Sequence, residues 1–513
     1  MSCIKPKELN QAARLIKEVK LLEALKLLDE FGKRKDLSLA ERVSYYILRS
    51  SLSFYLIRET EYLKYAQKAY QERQKLGNSL QLLDVYIQMA MGLMRKFKWE
   101  DSFEFVGKSE EQLKILTEES PEELFERKAS LSYIKGWLYY DQGEISKALE
   151  CAKQGLEIRE ALGLKADIGL SLWQVGWICF KWDNDLALKY VDQCIEYCEK
   201  INYTVKRQQC YMLKGMIYSF KGELDQALGY FEFSKALFEE LPEELKYDYG
   251  KYGIFHLMGM VYQEKDELDK AKEYFEKALA IKEKIGAQIA KVMTLDELIP
   301  LALLKRDLKS AEKYLKEIKR ISDQENNKLV YLAYRVNMAR ILKLSSLISD
   351  HVKAEEIFKN SLRDKIVDNE YKVVILLNLS DLLLVRISNT NNIKLFDEIQ
   401  QYINQMHVIA INQKSYSLLA ETHLLQAKFG LLILDLKATQ QFLEKAKKIA
   451  EKYSLNQLLE RILIEEAELI NQRSKWETLK NSKANVAELI NLSHVNDQLT
   501  RMIRKRFFLK KTT

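Results

Sequence analysis

Proline and glycine are scarce, at 4 and 18 among 513 residues. A β-sandwich or doubly wound sheet of this length needs dozens of turns, and the residues that make turns are largely missing. No stretch of about 18 uninterrupted apolar residues occurs, so no segment reads as a membrane span. The opening MSCIKPKELN lacks the apolar core of a secretory signal. Cysteine is sparse, at positions 3, 151, 179, 194, 198 and 210, mostly on helical patterns. That predicts small buried side chains and a reducing, cytoplasmic setting. Catalytic signatures are lacking as well: there is no GxGxxG, GxxxxGK[ST], HExxH or CxxC, and the five histidines at 256, 351, 407, 423 and 494 form no cluster. Cys194 and Cys198 share one helix face and would need an outside ligand to hold a metal. The expectation is a non-enzymatic protein with no metal or cofactor.

What is present is the composition of long helices. Apolar residues make up 47% and charged residues 30% of the chain, too apolar for disorder. The net charge of +7 is uneven. Residues 501–513 hold six basic side chains, Arg501, Arg504, Lys505, Arg506, Lys510 and Lys511, and no acid; without them 75 basic residues face 74 acidic ones. The body is charge-balanced and predicts no nucleic-acid partner.

Four segments align closely: KGWLYYDQGEISKALECAKQG (135–155), VGWICFKWDNDLALKYVDQC (175–194), KGMIYSFKGELDQALGYFEFS (214–234) and MGMVYQEKDELDKAKEYFEKA (258–278). Each has a glycine at its second position (Gly136, Gly176, Gly215, Gly259) and Tyr or Cys three residues on. Each then has a polar turn and an alanine (Ala148, Ala187, Ala227, Ala271). Small residues at fixed spacing on two helical patterns mark a hairpin in which antiparallel helices cross closely. The turns QGE, KGE and KDE stop one helix and open the next. Weaker copies place second-helix anchors near Ala24, Tyr62, Ser102, Ala311, Ala354, Phe396 and Ala438, an average period of about 41 residues.

This pattern resembles the tetratricopeptide repeat, in the long-repeat variety of MalT-like regulators, kinesin light chains and LGN-type scaffolds. The period exceeds the usual ~34 by about two helical turns, so each helix is expected to be about one turn longer. The resemblance covers roughly residues 8–450 and implies an all-α fold, a right-handed α-solenoid of antiparallel helix hairpins. The expected layout is a solenoid of about eleven hairpins over 1–455, best defined over 130–285, a capping region over 456–483, and a terminal helix with a basic tail over 484–513. Ser120-Pro121-Glu122-Glu123 and Leu241-Pro242-Glu243-Glu244 place proline at a helix first position, and Pro300 falls inside a helical pattern, where it is expected to kink the helix.

The resemblance also implies a partner-binding concave face lined by the first helix of each hairpin, at positions three before the glycine and one and four after it. Carried over, these are Ile47, Ser51 and Phe54; Ile87, Met91 and Met94; Tyr133, Trp137 and Tyr140; Trp173, Trp177 and Phe180; Met212, Met216 and Ser219; and His256, Met260 and Gln263. The set is aromatic and methionine-rich, without the cations that grip a terminal carboxylate. It suits an apolar or amphipathic peptide or helix, but the same spacing also fits plain packing between neighbouring first helices. The leading reading is a protein-interaction scaffold. The alternative is a sensor arm of a signalling or transcription-control system that switches on ligand or peptide binding. In the tail, Phe507, Phe508 and Leu509 between cations predict peripheral membrane contact through 501–511. Leu492, Val495, Leu499 and Met502 offer a weak homodimer seam within 484–506. A frayed, solvated helix end is the plain reading of the same residues.

Overall fold

The computed structural model describes residues 6–505 apart from 78, 97, 117–118, 181, 326, 365–366 and 482–484. Among the described residues every regular element is helical. Twenty-two α-helices follow one another as eleven pairs. The first five are α1 (Lys7–Lys17) with α2 (Leu21–Phe31), α3 (Leu39–Tyr55) with α4 (Glu59–Gln71), α5 (Leu80–Arg95) with α6 (Trp99–Ile115), α7 (Pro121–Asp141) with α8 (Ile145–Ala161), and α9 (Lys165–Cys179) with α10 (Asn184–Lys200). Next come α11 (Thr204–Lys221) with α12 (Leu224–Glu240), α13 (Asp248–Glu264) with α14 (Leu268–Lys284), and α15 (Gln288–Leu304) with α16 (Leu308–Glu325). The last pairs are α17 (Lys328–Lys343) with α18 (Ile348–Leu362), α19 (Asn369–Thr390) with α20 (Leu395–Asn412), and α21 (Tyr416–Leu432) with α22 (Leu436–Lys452). Four helices complete the described chain: α23 (Asn456–Asn471), α24 (Arg473–Asn481), α25 (Val486–Ser493) and α26 (Val495–Arg504).

The chain divides into two compact units. The first comprises Met1–Lys214 and Tyr230–Gly250, the second Gly215–Gly229 and Lys251–Thr513. In the first unit each helix from α1 to α10 packs on the next, and each first helix also packs on the first helix of the following pair, α1 on α3 through α7 on α9. In the second unit α14 to α23 pack in succession, with α15 on α17 and α17 on α19. This is the stacking of an α-solenoid, in which a hairpin that cannot bury its apolar face alone buries it against its neighbours.

The repeat residues explain the close crossings. Ala148, Ala187, Ala227 and Ala271 are fully buried, as are Gly136, Gly176, Gly215 and Gly259. A Cβ added at Gly176 would lie 2.9 Å from Val191 Cγ2, and one at Gly259 would lie 2.7 Å from the Phe275 ring. Where serine replaces alanine its hydroxyl is satisfied at the same crossing: Ser102 Oγ donates to the Ala90 carbonyl at 2.7 Å. All eleven anchors read from the sequence fall in second helices. At the last two, however, Ile399 and Thr439 are the buried residues and Phe396 and Ala438 are partly exposed. No Gly–Tyr pair sets the phase in those repeats.

Gly259→Leu is therefore expected to cost about 3 kcal/mol, the upper end for overpacking a core that cannot move aside. Gly229→Ala is the control. It lies in α12 with nothing within 4 Å of an added Cβ, and should stabilise by about 1 kcal/mol through helix propensity. Urea midpoints of the two variants check both signs.

Turns and caps follow the same local chemistry. Gly143, Gly222 and Asp266 occupy the same place in their hairpin turns, with φ of 80°, 82° and 62°, the left-handed residue that ends a helix. Ser120 caps α7 by accepting from the Glu123 N–H at 3.3 Å, with Pro121 in the first turn. Pro242 differs from expectation. It precedes a short 3-10 turn, Glu243–Leu245, after which Lys246 is extended, so α13 starts only at Asp248. Pro300 lies inside α15.

α19 is long and apolar enough, by length and composition, to cross a membrane, and 67% of its most apolar window is buried inside the protein. Its apolarity is that of a central core helix: Val373, Ile375, Leu376, Leu379 and Leu383 pack within one cluster of the second unit. The neighbouring α21 is buried on nearly every side and carries His423, 6% exposed, against Phe442 and His407. Burial pushes the His423 pKa down to about 4, opposing its hydrogen bond with Gln426, and the nearby His407 and Lys445 act in the same direction as burial. The folded state keeps this ring neutral, whereas the unfolded chain takes up a proton below about 6.5. The stabilisation is complete above that value and is lost as pH falls from about 6.5 towards 4, by up to about 3 kcal/mol. A His423→Gln chain should lose less stability between pH 7 and pH 5 than the parent in urea titrations.

Candidate interaction face

In the first unit the lining positions come together. Tyr133, Trp137 and Tyr140 on α7 and Trp173, Trp177 and Phe180 on or just after α9 form one continuous aromatic cluster. Ring centroids lie 5.7 Å apart for Trp137–Trp173, 5.4 Å for Trp173–Trp177, 6.0 Å for Trp137–Tyr140 and 6.3 Å for both Tyr133–Trp137 and Trp177–Phe180. Phe54 of α3 extends it, 6.0 Å from Tyr133. The first helices stack directly on one another, so residues four apart on α7 and α9 meet as a ladder. Gln174 ties the two helices, its Nε2 donating to the Tyr133 carbonyl at 2.7 Å. That amide also fills the space beside Gly136, where an added Cβ would lie 2.8 Å away.

The cluster has a buried floor and a partly exposed rim. Tyr133, Trp173 and Phe180 are buried, Trp173 at 9% exposure; Trp137, Tyr140 and Trp177 are half-buried. Met212 is buried in the same unit. Burial pushes the Tyr140 hydroxyl up to about 12, partly offset by its interaction with Trp177. In the second unit Met216 is buried, and His256 and Met260 are half-buried. His256 packs 5.4 Å from Phe275, with Nδ1 3.3 Å from Thr294 Oγ1.

Sequence reasoning missed the cations on this face. Arg95 lies over Phe54 at 5.3 Å, Arg159 over Tyr133 at 4.9 Å and Lys206 over Trp173 at 4.5 Å. They stand at helix ends rather than at the three lining positions, so the repeat register did not reach them. Arg159 is fully buried and shares Asp167 with Tyr55. Lys206 is buried too, its ammonium donating to Gln209 Oε1 at 2.5 Å, and burial pulls its pKa down to about 8. Among the described residues, neither Arg95 nor Lys206 has a carboxylate at salt-bridge distance.

Beside Lys206 lie three buried thiols. Cys210 Sγ is 3.1 Å from Cys194 Sγ, which is 3.8 Å from Cys198 Sγ. Burial pushes Cys194 and Cys210 up; thiol hydrogen bonds from both, with help from Lys206, hold Cys198 down to about 5. Among the described residues no group of three or more His, Cys, Asp or Glu side chains is placed to hold a metal ion.

The terminal region departs from expectation. The single helix read over 484–506 is two helices, α25 and α26, broken at His494, whose φ is 51°. Val495, Leu499 and Met502 are buried in the core of their own unit, and Leu492 is packed against it, so the expected dimer seam is already occupied from within. Arg504 and Lys505 are not a frayed end: they pair with Asp266 and Glu264. Phe507, Phe508, Leu509, Lys510 and Lys511, which carried the expectation of membrane contact, lie outside the described residues.

Comparison with known proteins agrees with the fold. A family model of the tetratricopeptide repeat matches residues 129–162 and 252–285. No curated protein matches the chain in sequence. Among solved structures, the apo form of the quorum sensor NprR from B. thuringiensis is 15% identical with a TM-score of 0.51, covering 72% of this chain and 98% of that one. A signal-transduction ATPase with a tetratricopeptide repeat sensor from Pyrococcus horikoshii is 16% identical with a TM-score of 0.48, over 67% of this chain and 54% of that one. A Rap protein complexed with competence and sporulation factor is 14% identical with a TM-score of 0.45, over 88% of this chain and 98% of that one. The stacked hairpins, the buried Gly–Ala crossings and the two matched regions together make this chain an α-solenoid of tetratricopeptide-repeat type.

Proposed function

We propose that this protein is a non-enzymatic interaction scaffold that binds an apolar or amphipathic peptide segment of a partner protein on the aromatic face of its first unit. The observation that carries this reading is the partly exposed rim of Trp137, Tyr140 and Trp177 around a buried floor. Large aromatic side chains held in place by packing lose little entropy on binding and are frequent interface anchors. Arg95, partly exposed over Phe54, adds positive charge beside an apolar surface, so a segment with an acidic residue among apolar ones fits better than a basic one. NprR has the same fold and is a quorum sensor by name; the chemistry of the face carries the functional reading.

The test is selection from a displayed library of random twelve-residue peptides. The parent chain should enrich apolar sequences carrying an acid. Trp177→Ala, and Arg95→Ala with it, should lose that enrichment while melting within a few degrees of the parent. Enrichment that is equal for parent and variants would place the binding face elsewhere.

A further inference from the structure

The second unit holds a helix against its first helices. α25 and α26 pack on α19 and α21, burying Leu489, Ile490, Val495, Leu499 and Met502. Positions 495, 499 and 502 lie on one helical face. Along the polar edge, Gln498 Nε2 donates to the Glu421 carboxylate at 2.8 Å, and Arg461 of α23 donates to that carboxylate at 3.1 Å and to Gln498 Oε1 at 2.7 Å. Beyond α26, Lys505 sits 3.3 Å from Glu264 and 3.6 Å from Glu421. Arg504 pairs with Asp266 at 2.7 Å, and Gln263 Nε2 donates to the Arg504 carbonyl at 3.0 Å. Gln263 is one of the lining positions carried over from the repeat register.

A terminal cap would cover the exposed end of the last hairpin. This segment instead crosses from α21 in the eleventh hairpin to α13 in the seventh, along first helices. Three acids, Glu264, Asp266 and Glu421, meet two cations at the end of the helix. Burial raises the pKa of Glu421, but Arg461 and Lys505 outweigh it and keep the carboxyl ionised. The apolar face of α26 is fully buried, but its polar edge is open to solvent: a cleft of about 210 Å³ lined by Lys428, Arg461, Glu465, Asp497 and Arg501 runs beside it, and Asp266 is two-thirds exposed, so its pair with Arg504 is screened by salt.

We propose that the face formed by α13, α19, α21 and α23 is a receptor for an amphipathic helix with aliphatic residues at i, i+4 and i+7 followed by two cations, and that residues 486–505 are its resident, displaceable occupant. A partner helix of the same chemistry competes with the chain's own segment. This face is separate from the aromatic one, so the proposal goes beyond the reading above and does not depend on it.

The experiment uses the full chain and a fluorescent peptide of residues 485–505, followed by anisotropy. A Leu499→Asp, Met502→Asp chain, whose own segment can no longer seat, should bind the peptide at least tenfold more tightly than the parent and keep its helical ellipticity. Equal binding by parent and variant, no binding to either, or loss of helical ellipticity in the variant would overturn the proposal; the last outcome would make the segment an integral part of the core. A milder variant tests the register. An Asp266→Arg chain should prefer a peptide carrying Arg504→Asp over the parent peptide by about fivefold at low salt. No change of preference would also overturn it. Neither failure touches the aromatic face, whose readout is Trp177 and the peptide library.

Discussion

Replacing Asp296 with alanine is expected to cost about 3–5 kcal/mol, enough to unfold much of the second unit under mild denaturant. Asp296 on α15 and Arg340 on α17 are 4% and 5% exposed. The carboxylate accepts from Asn337 Nδ2 at 2.6 Å and from the Tyr371 hydroxyl at 3.1 Å, and lies 3.4 Å from Arg340 Nη1. Asn337 in turn accepts from Arg340 at 2.9 Å. Three consecutive first helices, α15, α17 and α19, are thus joined by one buried polar network. Removing one partner of a buried ion pair leaves the other charge desolvated without its compensation, and that is the costly direction. Asp296→Asn keeps hydrogen-bonding atoms but no charge, and should fall between parent and alanine. Urea midpoints of the three chains decide the point: a loss under about 1 kcal/mol for alanine would mean that the network is not holding the stack.

The second large effect is expected from Trp173→Ala. This ring touches Trp137 and Trp177, stacks under the Lys206 ammonium and forms the floor of the aromatic cluster. Truncating a buried tryptophan removes its transfer energy and leaves a cavity, together about 3–5 kcal/mol. Trp177→Ala, on the partly exposed rim, should cost markedly less stability. The two tryptophans, successive lining positions of one helix, thereby separate into one that holds the unit together and one available to a ligand. Similar losses in urea for both would remove that distinction.

The fold was legible because its signal is local. Gly136 to Ala148 and Gly259 to Ala271 span single hairpins, and one such unit repeated reveals the rest. The aromatic cluster was legible for the same reason, since equal register pairs Trp137 with Trp177 and places Trp173 one turn away on the same face. What could not be read is what depends on the stacking of particular side chains. Burial of Trp173 but not of Trp177 follows from Lys206 and from the neighbouring rings. Arg95 and Arg159 reach the cluster from helix ends that no repeat position marks. Val495, Leu499 and Met502 looked like a free amphipathic stripe, because nothing within α26 shows that the stripe is already taken by α19 and α21. Pro242 looked like a helix start, although the chain needs an extended residue before α13.

The contacts of residues 498–505 impose an order on synthesis. Most of the remaining packing joins helices that are near neighbours in sequence, although α1 also packs on α9 and Asn456 reaches back to Glu223, so most hairpins of each unit can form as they leave the ribosome. The partners of the last segment are far back: Arg504 meets Asp266 and Gln263, separated by 238 and 241 residues, and Gln498 meets Glu421, 77 residues earlier. At the ~5–20 residues per second of translation, α13 waits roughly 10–50 seconds before Arg504 exists. The last helix of the face, α23, ends at Asn471, 33 residues before Arg504, so the complete face stands without its internal tenant for roughly 2–7 seconds. A partner present at the ribosome meets no competitor there, whereas one arriving later must displace a helix tethered to the same chain, at the high local concentration that tethering brings. Timing alone can therefore give the same surface two different affinities, one for the nascent chain and one for the finished protein.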